Sequence, residues 1–250
     1  MGLIGGKFGY RLLKAIQAGN KFSSQSVSAA PAATDVVLFF GDDFFDLIKG
    51  KTVIDFGCGA GNFSVEMAQN GAAKVIGIDI RDGQLQHGEK TAARHGVSDC
   101  CVFTRTSDEP ADVIISKDAF EHYEDPAEIL RIMAALIKPD GYVLASFGPT
   151  WLHPYGGHLF SVFPWSHLIF TEKAQMRWRS DFKTDGAARF SEVAGGLNQM
   201  TIARFERIVA DSPFRLEWLD TVPIKGIGLL KSRLFRELGA SLVRCRLSLS

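Results

Sequence analysis

Three glycines spaced two apart, Gly57, Gly59 and Gly61, follow the apolar run Val53-Ile54-Asp55-Phe56 and lead into Asn62. Glycine reaches positive φ without a Cβ penalty and lets backbone approach a ligand closely, so such a turn between a strand and a helix suits a ligand cradle. A tight turn using its glycines for packing alone explains the triplet equally well. Asp79 shifts that balance, because it ends Ile76-Gly77-Ile78 about one βαβ step later, where a carboxylate can accept both hydroxyls of a ribose. Paired with the glycine turn, Asp79 reads as more than a helix cap. A pyrophosphate fits poorly, since the dinucleotide fingerprint needs Gly or Ala at position 62, which is Asn62. Asp55, two positions ahead of Gly57, would also crowd a phosphate and instead suits a ligand carrying positive charge.

Histidines form the second chemical group. Of the six, His122, His153, His158 and His167 fall in segments expected to face the carboxyl ends of the strands, where open α/β sheets bind ligands. Imidazole titrates near neutrality and is the natural general base for a hydroxyl or an acidic carbon. His158, beside Gly156-Gly157, ranks first, with His122 and Tyr155 behind it. For any one of these histidines, a core position satisfied by backbone partners outweighs catalysis. His153 and His158 without a neighbouring Cys or acid pair do not close a zinc site, so no metal is expected.

These residues need elements to hold them. Apolar strands are predicted at 52–56, 73–78, 100–103, 113–116, 141–146, 214–222 and 242–249. Helices are predicted at 62–69, 82–95, 126–137, 201–210 and near 228–238. Short apolar strands alternating with amphipathic helices require a parallel sheet covered on both faces, so the class is α/β, doubly wound. A helix over 7–18 and a small, polar, Pro-terminated linker make residues 1–34 an N-terminal unit ahead of the main domain, 35–250. Within it, residues 149–200 form an insertion after the fifth strand. Trp151 to His167 combines aromatic bulk, glycines and imidazoles, a composition fitting a substrate lid. Gly195-Gly196 and the helix cap Thr201 fit its return hinge. A charged helix from Thr171 to about Phe190 reads as a solvated face, with Arg177 and Arg179 keeping an anionic-substrate site open. The segment 225–246, which mixes Leu, Phe and Arg like a membrane-surface helix, reads as a helix covering the sheet.

Composition narrows the function classes. The 250 residues carry 28 Lys+Arg and 28 Asp+Glu, so the positive footprint of a nucleic acid binder is missing. Four cysteines without CxxC spacing suit free thiols in a reducing compartment, hence a cytoplasmic location. Every apolar run is broken by charge before bilayer length, so no stable membrane insertion is expected.

The segment Val53–Gly61 resembles motif I of the class I S-adenosylmethionine-dependent methyltransferases. Asp79 matches that family's ribose-binding acid, Ala111–Pro126 its fourth-strand region, and Leu136–Leu144 the approach to its fifth strand. The match runs over about residues 50–148 and is similar in particular to the ubiquinone and menaquinone methyltransferase branch. The resemblance implies a mostly parallel seven-stranded Rossmann-like sheet and S-adenosylmethionine as cofactor. It implies that Gly57, Gly59 and Gly61 back the methionine moiety with Asp55 near its amino group, that Asp79 holds the ribose and that Ile80 packs on adenine. Lys117 sits where the family lets backbone approach the cofactor, although a solvated lysine explains it equally well. The acid that the family usually places after the third strand has no clear counterpart in Thr104–Asp108. The implied activity is methyl transfer to an O, N or C nucleophile of a small, fairly apolar molecule; a non-catalytic scaffold of the same fold is the alternative.

Overall fold

In the computed structural model, residues 2–19, 36–193, 195–224 and 235–250 are described. The sheet is built from β1 (Thr52–Phe56), β2 (Lys74–Ile78), β3 (Cys101–Thr104), β4 (Ala111–Lys117), β5 (Ile137–Phe147), β6 (Phe214–Pro223) and β7 (Ala240–Leu249). Its order is β3-β2-β1-β4-β5-β7-β6. The contacts among β1 to β5 are parallel, and β7 runs antiparallel to both β5 and β6. This is the doubly wound, mostly parallel seven-stranded α/β fold expected. The chain winds outward from β1 to β3 and then crosses back to β4, so the crevice at the carboxyl ends of β1 and β4 is the topological switch point.

Strand alternation sends Val53 and Ile54 to opposite faces, and each face has its own core. Ile54 joins Phe120, Leu130 and Phe205 beneath α6 (Pro126–Leu136) and α9 (Ile202–Ala210). Val53 joins Phe39, Phe44 and Val65 beneath α2 (Val36–Phe40), α3 (Phe44–Ile48) and α4 (Asn62–Gln69). Helix starts follow local sequence: Asp125 accepts from the N–H groups of Ala127 and Glu128 ahead of Pro126, and Thr201 accepts from that of Arg204. α5 (Asp82–Arg94) follows β2.

The segment after β5 has a third core of Trp151, Phe160, Phe170, Trp178 and Phe190, which takes in Leu13 of α1 (Gly6–Gly19). Its helices are α7 (Ser166–Ile169) and α8 (Glu172–Arg179). The Trp178 indole donates to Gln17 at 2.8 Å, and the Tyr10 hydroxyl donates to Asp181 at 3.0 Å, so α1 is fastened to α8 rather than standing apart.

Three expectations are corrected here. The charged helix ends at Arg179 instead of reaching Phe190, because the chain turns back and the Arg179 guanidinium closes a fork on Asp185 at 2.6 and 2.5 Å. Arg179 is buried, so that helix is not simply a solvated face. The expected linker, most of the helix near 228–238 and the Ala194 part of the hinge lie outside the described residues; of the covering helix expected over 225–246 the structure describes the four-residue α10 (Arg236–Gly239), and the chain from Ala240 on is β7 instead.

Candidate active site

The turn after β1 gives its three glycines different tasks. Gly57, Gly59 and Gly61 all have positive φ, at 86°, 53° and 74°. A Cβ on Gly59 would meet nothing within 4 Å, so this position borders open space, as a ligand cradle requires. A Cβ on Gly61 would strike the Phe103 ring and lie 2.8 Å from Gly88 Cα; this glycine lets α4 close on α5 and β3. Gly57 is intermediate, with Ala119 Cβ and the Tyr123 hydroxyl each 3.2 Å from where its Cβ would be. Tyr123 fixes the turn by donating to the Phe56 carbonyl at 2.9 Å, with Ser116 2.9 Å from the same hydroxyl.

Asp79 lies at the mouth of that turn. The Gly59 N–H donates to its Oδ2 at 3.0 Å, bringing the β1 and β2 loops together. Arg81 adds Nε and Nη2 bonds, each 3.0 Å, and a backbone N–H bond of 2.9 Å. Burial pushes the Asp79 carboxyl up, but the Arg81 fork and the Gly59 N–H outweigh it and hold the group below its ordinary value. Ile80 next to it is 82% exposed, an apolar side chain presented beside the carboxylate.

Asp55 is buried and accepts from Ser64 Oγ at 2.6 Å, so it ties β1 to α4. Burial raises its carboxyl to about 6, with the Ser64 bond and the Lys117 charge opposing. Lys117 is half-buried rather than solvated: its ammonium is 3.1 Å from Asp118 Oδ2 and 4.0 Å from the Phe39 ring centroid.

The histidines separate into two classes. His167 is a core histidine, with Nδ1 3.0 Å from Ser161 Oγ and Nε2 2.7 Å from the Trp151 carbonyl. His153 accepts from the Tyr155 N–H at 3.0 Å, and burial pulls it down to about 4. His122 and His158, far apart in sequence, meet edge to face with ring centroids 5.5 Å apart. His122 Nδ1 is 2.8 Å from the Gly196 carbonyl, whereas His158 Nε2 is buried without a hydrogen-bond partner among the described residues. Burial, with His122 and His167 nearby, lowers His158 to about 4, so its ring is neutral near pH 7. His158 and Asp118 also hold left-handed backbone, φ 50° and 49°, the local strain that functional sites tend to store. Tyr155 is linked to this pair through the backbone, its carbonyl accepting from the His158 N–H at 3.0 Å, while its ring lies 6.2 Å from that of His153.

Sequence reasoning missed Arg81 and Glu121. Arg81 was legible as a cation two residues beyond a strand-end acid. Glu121 is buried with Oε1 accepting from the Gly148 N–H at 3.0 Å and Oε2 without a partner among the described residues. Burial, reinforced by Asp118, raises its carboxyl to about 8.

With the glycine turn and the strand-end acid in contact, comparison with known proteins becomes decisive. A family model described as a methyltransferase domain matches residues 28–210. The chain belongs to this methyltransferase family. S-adenosylmethionine is the cofactor that goes with it, and the open side of Gly59, the Asp79 carboxylate and exposed Ile80 fit such a nucleoside. Over 106 residues the chain is 38% identical to a ubiquinone biosynthesis O-methyltransferase of Neisseria meningitidis serogroup C, covering 40% of this chain and 44% of that protein. Over 102 residues it is 38% identical to a ribosomal protein L11 methyltransferase of Photobacterium profundum, covering 40% of this chain and 34% of the other. The chain thus spans less than half the length of these curated relatives. Magnesium protoporphyrin IX methyltransferase from Synechocystis PCC 6803, solved with SAH bound, shares the fold at TM-score 0.53 and 17% identity, over 98% of this chain and 95% of that one.

Proposed function

We propose that the protein transfers the methyl group of S-adenosylmethionine to an O, N or C nucleophile of a small, fairly apolar molecule held beneath residues 149–200, the lid of a methyltransferase domain spanning 35–250. The bound cofactor supplies an already activated methyl group, so the chain's work is to orient it, exclude water and hold the acceptor in line. In this reading Gly57, Gly59 and Gly61 form the cradle, Asp79 accepts the ribose hydroxyls, Ile80 lies on the adenine, and Asp55 with Lys117 frames the methionine end. His158 takes the acceptor's proton on Nε2, with His122 packed against it; Tyr155, whose carbonyl accepts from the His158 N–H, is the third candidate.

One observation carries the reading: a neutral, buried imidazole nitrogen without a partner among the described residues sits in the segment following β5, against a histidine from the β4 loop. A general base must be unprotonated and reachable by the acceptor; the neutral His158 ring has one unprotonated nitrogen near pH 7, and this reading assigns it to Nε2. The fairly apolar acceptor is inferred from the aromatic composition of residues 151–167 around His158; Trp151, Phe160 and Phe190 themselves form the core that backs this segment. The two curated relatives differ in their named acceptors, a ubiquinone pathway compound and a ribosomal protein, so family membership does not select one.

Calorimetric titration with S-adenosylmethionine and with its demethylated product, followed by a methyl-transfer screen over phenols, quinols, amines and carboxylates, tests this function. Binding together with turnover of an apolar acceptor is expected. Binding without turnover across the screen would favour the scaffold alternative.

A further inference from the structure

Helix α1 has the sequence GKFGYRLLKAIQAG, with three cations and no acid. Its inner side is accounted for: Leu13 is buried in the core of the 149–200 segment, and a Cβ on Gly9 would already lie 3.3 Å from that of Ala174. Its outer side is exposed and carries Lys7, Phe8 and Arg11, with Phe8 70% accessible. Ahead of it Leu3 is 96% accessible, yet its backbone is fixed: the Leu3 and Ile4 N–H groups donate to the Ile169 carbonyl at 2.8 and 3.0 Å, and the Thr171 N–H returns a 2.9 Å bond to Ile4. Two large apolar side chains are therefore held out into water by ordered backbone, flanked by positive charge. Arg177 of α8 extends that charge, its guanidinium lying 4.5 Å from the Tyr10 ring centroid. Among the described residues no salt bridge involves Lys7, Arg11 or Arg177; Lys14 alone of the α1 cations pairs, with Asp181.

We propose that this face seats the protein on an anionic lipid surface, Leu3 and Phe8 entering the headgroup boundary and the cations lying over the lipid charges. An apolar tip bordered by Lys and Arg is complementary to such a surface, which offers both an apolar phase and negative charge. No helix among the described residues is long and apolar enough to cross a membrane, so the association is peripheral. Because α1 is fastened to α8, docking brings the 149–200 segment to the lipid boundary, where an apolar acceptor would concentrate. Only that consequence rests on the proposed acceptor; lipid binding is read from α1 itself.

Co-sedimentation of the full chain with phosphatidylcholine vesicles containing about 30 mol % phosphatidylglycerol, against pure phosphatidylcholine, tests it. Binding to the anionic vesicles is expected, several-fold weaker to neutral ones and largely released at about 0.5 M NaCl. Phe8→Glu, and separately Lys7→Glu with Arg11→Glu, should each lower the partition coefficient by roughly tenfold, with circular dichroism and binding of the demethylated cofactor product unchanged. Failure to bind anionic vesicles, or equal binding by the Phe8→Glu variant, overturns the proposal. A dimer in light scattering that Phe8→Glu converts to monomer also overturns it, by assigning the patch to a second copy. Cofactor binding reads the methyl-transfer function separately, so the two can fail independently.

Discussion

Arg81 closes a two-point fork on Asp79, Nε to Oδ1 and Nη2 to Oδ2, each at 3.0 Å, so both oxygens of the strand-end acid are engaged by the protein itself. A ribose diol reaching the same carboxylate has to displace that guanidinium. The displacement is feasible because the Arg81 side chain is 54% exposed, and an ion pair with one exposed partner contributes modestly. Arg81→Ala should therefore tighten S-adenosylmethionine binding by roughly two- to fivefold, a gain below about 1 kcal/mol. Asp79→Ala should weaken it by more than about tenfold through loss of the diol contacts. Calorimetric titration checks both, and a weakened Arg81→Ala variant would mean that the guanidinium contacts the cofactor.

The glycines of the turn should respond to substitution in different ways. Gly61→Ala forces a Cβ into the Phe103 ring and Gly88 at φ 74°, and should destabilise the fold by about 2 kcal/mol or more. Gly59→Ala has only its backbone conformation to oppose it, φ 53° with open space around the new methyl, and should cost about 1 kcal/mol. Cofactor affinity should be lost chiefly in Gly59→Ala, since its methyl enters the ligand's side of the turn. Thermal unfolding run beside calorimetry separates the two effects.

That division marks what the sequence could reveal. The triplet, its flanking strand and Asp79 are local in the chain, and periodicity places all seven strands within a few residues. Phe103 is another matter: ring contacts with positions 61, 77 and 88 join three elements, and no spacing rule announces them. The aromatic segment after β5 is distinctive in composition, but most of its rings pack on one another and on Leu13, which accounts for much of that richness without a ligand. Helices α2 and α3 went unread because five-residue helices carry too few turns for a periodic pattern. The meeting of His122 with His158 depends on how the segment folds back over β4, a relationship fixed by tertiary packing.

Glu121 predicts a pH dependence of known sign. Its carboxyl is raised from 4.5 to about 8 by burial and by Asp118. Between those values the folded protein keeps a proton that the unfolded chain has released, so this group's contribution to stability is lost as pH rises through the window and levels off above it. Glu121→Gln removes the titration while its amide oxygen can still accept from the Gly148 N–H. Relative to wild type, the variant should gain about 1.4 kcal/mol per pH unit between roughly pH 5.5 and 7.5. Denaturant unfolding followed by tryptophan fluorescence measures the difference, in which the other titrating groups cancel.

His158 makes the opposite kind of prediction, about rate. Burial lowers its imidazole to about 4, so the ring is neutral throughout the ordinary working range and turnover should show no acid limb near 6.5, the usual histidine value. For stability the sign is that of a base depressed on folding: below 6.5 the unfolded chain takes up a proton that the folded ring refuses, and stability falls as pH drops toward 4. His158→Gln should leave cofactor affinity within about twofold and lower kcat by on the order of 10²-fold or more, the usual contribution of a positioned base. An acid limb centred near 6.5 in the wild-type kcat profile, or full activity in His158→Gln, would move the proton transfer to another group and leave His158 as a packing partner of His122.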